Sequence, residues 1–158
     1  MNNQVKTVQE SSVEISHIVR PTHLNATGRL FGGILLQWID ETAGIIAKRH
    51  CNHDIITAAI DNLQFLSGAY QHEVIVLIGR LTFVGNTSME IRIDTYAEDI
   101  TGERKLINTA YLVMVALDQQ GNSCSVPRLR IETEEEKYEW ELAKKRQIIR
   151  KHRMEEGY

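Results

Sequence analysis

The sequence predicts an α+β fold in which an antiparallel sheet wraps one long buried helix and a second helix forms a C-terminal tail. Three observations carry this expectation. An apolar run from Ile34 to about His50 repeats at the helical period, four long β-branched stretches follow it, and the chain turns strongly charged from Glu132 onward.

The elements follow in order. The polar start, to about residue 11, reads as a loose terminus. Val13 to Val19 alternates apolar and polar residues as a first strand, ended by Pro21. Residues 21 to 33, PTHLNATGRLFGG, form a turn-rich loop. On the wheel of the next helix, Leu35, Leu36, Ile39, Ala43, Ile46 and Ala47 share one face, while Gln37, Glu41 and Lys48 share the opposite one. Asp40 falls between them, at the margin of the buried face. The stretches Ile55 to Leu66, Glu73 to Gly85, Ser88 to Glu98 and Glu103 to Leu117 read as strands joined by connections bearing Gly or Asn. The tail, about residues 132 to 155, reads as a helix charged on most sides, with Tyr138, Leu142 and Ile149 as its sparse apolar positions. No repeat or linker divides residues 1 to 158, so one domain is expected.

Composition narrows the class. With 158 residues, 42% hydrophobic and 25% charged, the chain has the makeup of a soluble globular domain and not of a disordered or fibrous one. No apolar run approaches the roughly 18 residues of a bilayer span. The net charge of −3 combines an acidic run, ETEEEKYEWE, with the basic run AKKRQIIRKHR, which is the balance of a solvated helix and not of a nucleic-acid-binding surface. Cys51 and Cys124 stand far apart and read as reduced thiols. The N-terminus lacks the apolar core of a signal peptide, so a cytoplasmic location is expected.

The stretch from Asn25 to Glu41, NATGRLFGGILLQWIDE, is where chemistry is expected. A helix that opens on paired glycines leaves its first N–H groups unpaired at the positive end of its dipole and lets a ligand approach the backbone. Gly33 and its neighbours are thereby candidate oxyanion donors, and Asp40 is a candidate general base or, less readily, a nucleophile. Asp40 lies almost two turns beyond Gly33, about 10 Å along the helix, too far to serve the same helix's donors without help. Taken singly, Asn25 is a turn former and FGG a loop-to-helix turn; it is their combination with Asp40 that points to a site. His50, Cys51 and His53 are loosely spaced like metal ligands, yet a helix end suits cationic histidines and a structural role is the better reading. No GxSxG elbow is present.

NATGRLFGGILLQWIDETAGIIAKRHC resembles the signature of the hotdog-fold acyl-CoA thioesterases related to brain-type acyl-CoA hydrolase and its single-domain bacterial relatives. TAAIDNLQFL, GRLTFVGNTSMEI and VPRLRIETEEEK match the same family at the expected distances, from about Val13 to Lys145. Arg29 departs from the small polar residue expected there, and Arg130 replaces a usual proline. The resemblance implies hydrolysis of acyl-CoA to a free acid and coenzyme A, with no metal or other cofactor. It also implies a site across a dimer interface, with Asn25 of one subunit opposite Asp40 of the other, and assembly beyond the dimer to a tetramer or hexamer. Phe31, Gly32, the turn residues Asn86, Thr87 and Ser88, and the cations Arg80 and Arg128 are expected to contact the substrate and its coenzyme A, with Arg104 and Lys105 as further charge partners. The alternatives are a non-catalytic acyl-CoA-binding regulator, which needs no Asn25–Asp40 pair, and a hydratase or dehydratase, which would recruit a histidine with a carboxylate.

Overall fold

The computed structural model describes residues 4–61 and 63–158. Its elements run β1 (Val5–Thr7), β2 (Val13–Ile18), a short 3-10 turn (Pro21–His23), α1 (Gly32–Cys51), β3 (Asp54–Asp61), β4 (Val74–Val84), β5 (Ser88–Glu98), β6 (Arg104–Leu117), β7 (Arg128–Arg130) and α2 (Glu134–Glu156). Five strands pair antiparallel in the order β2-β4-β5-β6-β3, which leaves β3 as an edge; β1 and β7 form a separate parallel pair.

The helix wheel and the strand alternation meet in one core. Ile39, Ala43, Ile46 and Ala47 of α1 are fully buried against Ile91, Ile93, Leu112 and Met114 of the inner sheet face. Gly79 on β4 makes the seat: a Cβ there would overlap Ile46 Cδ1 and Ile93 Cδ1. Asn52 ends α1 in the left-handed region at φ 57°, its N–H donating to the Lys48 carbonyl.

Four expectations are corrected. Helix α1 begins at Gly32, two residues earlier than the apolar run suggested, because glycine accepts helical backbone without needing a buried side chain. The strand expected to reach Leu66 ends at Asp61, after a bulge between Thr57 and Ala59. The start of the chain is tied down from Val5, where β1 pairs with β7 and Lys6 Nζ donates to the Arg49 and His50 carbonyls at 2.9 and 2.7 Å; residues 1–3 lie outside the described residues. That lysine supplies the cation at the α1 C-terminus, so His50 has a different role from the one expected of it. His50 is fully buried, its Nε2 lies 2.9 Å from the Pro127 carbonyl, and burial pushes its pKa down.

Helix α2 covers the outer sheet face by means the wheel did not anticipate. Tyr138 and Ile149 are 64% and 51% exposed, while Glu139 and Ala143 are buried. Arg146 donates twice to Glu90 Oε1, at 3.1 and 2.7 Å, and stacks 3.7 Å above the Tyr111 ring. Arg150 bridges Glu90 at 2.8 Å and Asp61 at 2.5 Å, and Arg92 reaches Glu139 at 2.5 Å. Burial disfavours the charge on Arg150, yet its bonds to Asp61 and Glu90 hold its pKa above the ordinary value. The basic run read as a solvated face is thus partly an ionic clasp.

Candidate active site

The loop before α1 is built around Asn25. Its Oδ1 accepts from the Thr27 N–H at 3.0 Å, the Thr27 hydroxyl at 2.8 Å and the Arg29 N–H at 3.1 Å, an Asx turn closed by Gly28 at φ 75°. Three donors on one oxygen fix the amide's orientation and leave Nδ2 without a partner among the described residues. Asn25 is therefore a turn former and an available donor at once. The loop is held to α1 by Trp38, whose indole stacks on His17 (centroids 4.3 Å apart, 1° between planes) and meets His23 edge-on at 5.0 Å. Burial lowers the pKa of His17 in this stack.

Phe31 occupies the N-cap of α1 and offers no side-chain acceptor. The Ile34 and Leu35 N–H groups bond to its carbonyl, whereas those of Gly32 and Gly33 have no hydrogen bond among the described residues. The Phe31 ring, itself 54% exposed, fills the space a Gly33 Cβ would need, and the Phe65 ring comes within 3.3 Å of the Gly32 Cβ position. Two free donors thus lie between two phenyl rings. Gly32, next to Gly33, lines a cleft of about 400 Å³ together with Asn25, Arg29, Leu35, Phe65 and Ile107, among others. Phe65 escaped sequence reasoning because it stands in an apolar stretch that reads as strand.

Asp40 is half-buried, as the wheel placed it, and lies outside this cleft. Its Oδ1 accepts a 2.6 Å bond from the Thr57 hydroxyl on β3, a short charge-assisted contact that orients the carboxylate. Thr57 gave no sequence signal beyond being a polar residue in an alternating strand. The two groups are about 12 Å apart along α1, where Asp40 stands eight residues beyond Gly32, and strand register shows that they face different ends of the sheet. Thr57 lies opposite Met114, and Met114 opposite Met89, at one end of the sheet. Ile107, in the cleft wall, is seven residues away along β6, about 23 Å at 3.3 Å per residue.

The turn Asn86–Ser88 belongs to the Asp40 end: the Thr87 carbonyl accepts from the Ala116 N–H at 3.0 Å and the Asn86 carbonyl from the Val126 N–H at 2.9 Å. Arg128 joins it, with Nη1 donating to the Gly85 carbonyl at 3.2 Å. Arg80 does not: it is engaged on the outer face by Asp94 and Glu135. Arg104 is likewise paired, with Glu14 and Glu98. Among the described residues no group of three or more His, Cys, Asp and Glu side chains is placed to hold a metal ion.

One chain therefore presents two separated half-sites: donors with a cleft, and an oriented carboxylate beside a polar turn. A long helix seated on an antiparallel sheet, with its glycine start open to solvent, defines a hotdog fold of the thioesterase class. The thioesterase superfamily model matches residues 27–103. The chain is 41% identical over 129 residues to the uncharacterized acyl-CoA thioester hydrolase YkhA of Bacillus subtilis, covering 81% of this chain and 75% of that protein. It is 36% identical over 151 residues to the human cytosolic acyl coenzyme A thioester hydrolase, covering 94% of this chain while spanning only 40% of the human protein. Among solved structures, an apo-hexameric acyl-CoA thioesterase superposes with a TM-score of 0.92 at 38% identity, covering 96% of this chain and 97% of the other. The Staphylococcus aureus acyl-CoA hydrolase, solved with butyryl coenzyme A and coenzyme A, superposes with a TM-score of 0.90 at 30% identity, covering 96% and 93%. The chain belongs to the acyl-CoA thioester hydrolase family of the thioesterase superfamily.

Proposed function

We propose that the chain is an acyl-CoA thioesterase, converting acyl-CoA and water to a carboxylic acid and coenzyme A, and that its site is completed by a second copy. The observation that carries this is the separation of the half-sites. The edge strand β3, with Ile56 and Ile60 exposed at 49% and 37% and no partner strand along its outer side among the described residues, supplies the joint, because an uncovered edge pairs with another strand. A two-fold axis beside it brings the Asp40 end of one copy to the cleft of the other.

In that arrangement the N–H groups of Gly32 and Gly33 and the Asn25 amide donate to the thioester oxygen as it becomes negative. Asp40 of the second copy, steadied by Thr57, takes a proton from the attacking water. The carbon–sulfur bond breaks and the thiolate leaves as coenzyme A, which takes up the proton. The Asn86–Ser88 turn and Arg128, on the Asp40 end, are placed for the coenzyme A portion; Arg80 is dropped from this set. No metal or redox cofactor enters the reaction, and residues 1–158 act as a single hotdog unit. The S. aureus hydrolase lends support, since it has been solved as alanine variants at one Asn, one Asp and one Thr. Those residues are 15 and 17 positions apart, the spacing of Asn25, Asp40 and Thr57 (25 to 40, 40 to 57). Further assembly to a hexamer is proposed from the hexameric relative. A cytoplasmic location is proposed from the human relative's cytosolic designation; no helix among the described residues is long and apolar enough to cross a membrane.

Thiol release from acyl-CoAs of increasing chain length tests the reading. Asp40→Asn and Asn25→Ala are each expected to lower turnover by ~100-fold or more while still assembling, and Thr57→Val by ~10-fold. Re-assembling the two inactive variants together at equal ratio should restore about a quarter of wild-type activity, because half the dimers are mixed and each carries one intact site. No recovery in mixed dimers would sink the shared site, and no turnover by wild type on any acyl-CoA would sink the enzyme.

A further inference from the structure

The cleft that holds Asn25 and Gly32 has a charged rim. Its wall contains no Asp or Glu, but it includes Arg29, Ser67 and Gly68. Arg29 Cδ lies 3.4 Å from the Gly68 Cβ position, and its guanidinium carbon sits 6.0 Å from the centre of the Tyr70 ring. Lys105 Nζ donates to Ser67 Oγ at 2.9 Å, so the second cation reaches the residue next to the one Arg29 covers. Two basic side chains from different parts of the chain thus meet at the dipeptide Ser67-Gly68, Lys105 by its ammonium and Arg29 by its aliphatic stem, with the guanidinium beyond it toward Tyr70.

Neither is neutralised. Among the described residues no carboxylate is ion-paired with Arg29 or Lys105, while Arg104, next to Lys105, is paired with Glu14 and Glu98. The acid closest in the chain to Tyr70, Glu73, is engaged by the Tyr70 N–H at 2.7 Å. The backbone of Arg29 is rigid, since its N–H and C=O both bond to Asn25, at 3.1 and 2.7 Å. The residue that anchors the candidate donor amide is therefore the one that carries the rim cation.

We infer that Arg29 and Lys105, with the Ser67 hydroxyl, form an anion-binding rim that selects substrates carrying a negative group at the mouth of this cleft. An oxyanion with two or more acceptor oxygens fits a guanidinium fork beside an ammonium. A phosphate of the coenzyme A moiety and a carboxylate at the far end of a short dicarboxylic acyl chain share that chemistry. The inference rests on the thioesterase reading for its substrates, but the rim is also testable by binding alone.

The experiment compares wild type with Arg29→Gln and Lys105→Gln on three substrates: a neutral short acyl-CoA, the same acyl group on pantetheine, which lacks phosphate, and an ω-carboxyacyl-CoA of equal length. Each variant is expected to raise KM by about 10-fold with kcat held wherever the anion reaches the rim. Loss on both CoA esters with the pantetheine ester unaffected assigns the rim to phosphate. Loss confined to the ω-carboxyacyl-CoA assigns it to the acyl carboxylate. Equal change on all three substrates, or none on any, overturns the proposal. Should wild type turn over none of them and none of the longer acyl-CoAs, the thioesterase reading fails by itself. Titration of coenzyme A and of free dicarboxylates then decides the rim, and affinities unchanged in Arg29→Gln overturn it.

Discussion

Helices α1 and α2 cover opposite faces of the same sheet by different physics. Under α1 the contact is dispersion and excluded water: Ile39, Ala43, Ile46 and Ala47 against Ile91, Ile93, Leu112 and Met114, all fully buried. Under α2 charge is added to a smaller apolar contact of Ala143 and of Trp140 on Phe83: Glu90 and Glu139, 2% and 6% exposed, are held by Arg92, Arg146 and Arg150. The inner contact is non-directional and tolerates isosteric exchange; the outer one depends on every partner being present. The helix that carries the candidate chemistry is the one seated by the tolerant contact. The outer helix clasps Asp61, the last residue of the edge strand, through Arg150.

Substitutions sharpen the contrast. The largest effect is expected from Glu90→Ala, which takes from Arg146 the carboxylate it hydrogen-bonds and leaves Arg150 with Asp61 alone, and should cost about 3–5 kcal/mol in urea unfolding. The joint change Glu90→Met, Arg146→Leu and Arg150→Met should recover most of that loss; if it does not, the clasp is more than a set of compensated charges. Ile46→Ala on the inner face should cost about 2–4 kcal/mol and, unlike the outer-face change, respond little to added salt. Between the two lies His50. Its folded pKa is depressed by burial, and with Nε2–H donated to Pro127 its Nδ1 has no hydrogen-bond partner among the described residues to receive a proton's charge. The unfolded chain therefore binds more protons than the folded one as pH falls below about 6.5, and stability declines from there downward. A thermal-melt series from pH 7.5 to 5.5 should show this decline, and His50→Gln should lessen it, leaving the part contributed by His17, whose pKa burial also lowers. The smallest effect is expected at the start of α2: Thr133, whose hydroxyl accepts the Glu136 N–H at 3.1 Å, should cost about 1 kcal/mol when changed to Ala.

The same contrast explains what the sequence made legible. The α1 wheel placed Ile39, Ala43, Ile46 and Ala47 inward and Asp40 at the margin, because a 3.6-residue period and an apolar face are written locally. The four long strands were visible for the same reason, apart from the end of β3, where Leu63, Phe65 and Leu66 are apolar but lie beyond the strand, the Leu66 N–H donating to the Ile107 carbonyl of β6. The docking of α2 was hidden: Arg146 and Arg150 look like any solvated cation until the sheet register puts Glu90 beneath them. The β1–β7 pairing was hidden too, since it joins residues 5 and 128. At the candidate site, Asn25, Gly33 and Asp40 stood out by spacing. Thr57 and Phe65 needed the fold, one to meet Asp40 and the other to reach Gly32.

The notch at Gly79 carries a consequence for the chain's history. A side chain there is blocked by Ile46 on the helix and Ile93 on the neighbouring strand, with Thr42 Cγ2 at 3.5 Å closing the remaining side. Positions 46, 79 and 93 therefore cannot drift independently. A descendant that gains even a methyl group at 79 must shorten one of the two isoleucines, before or together with that change, so the three should vary among descendants as one inherited trait instead of three.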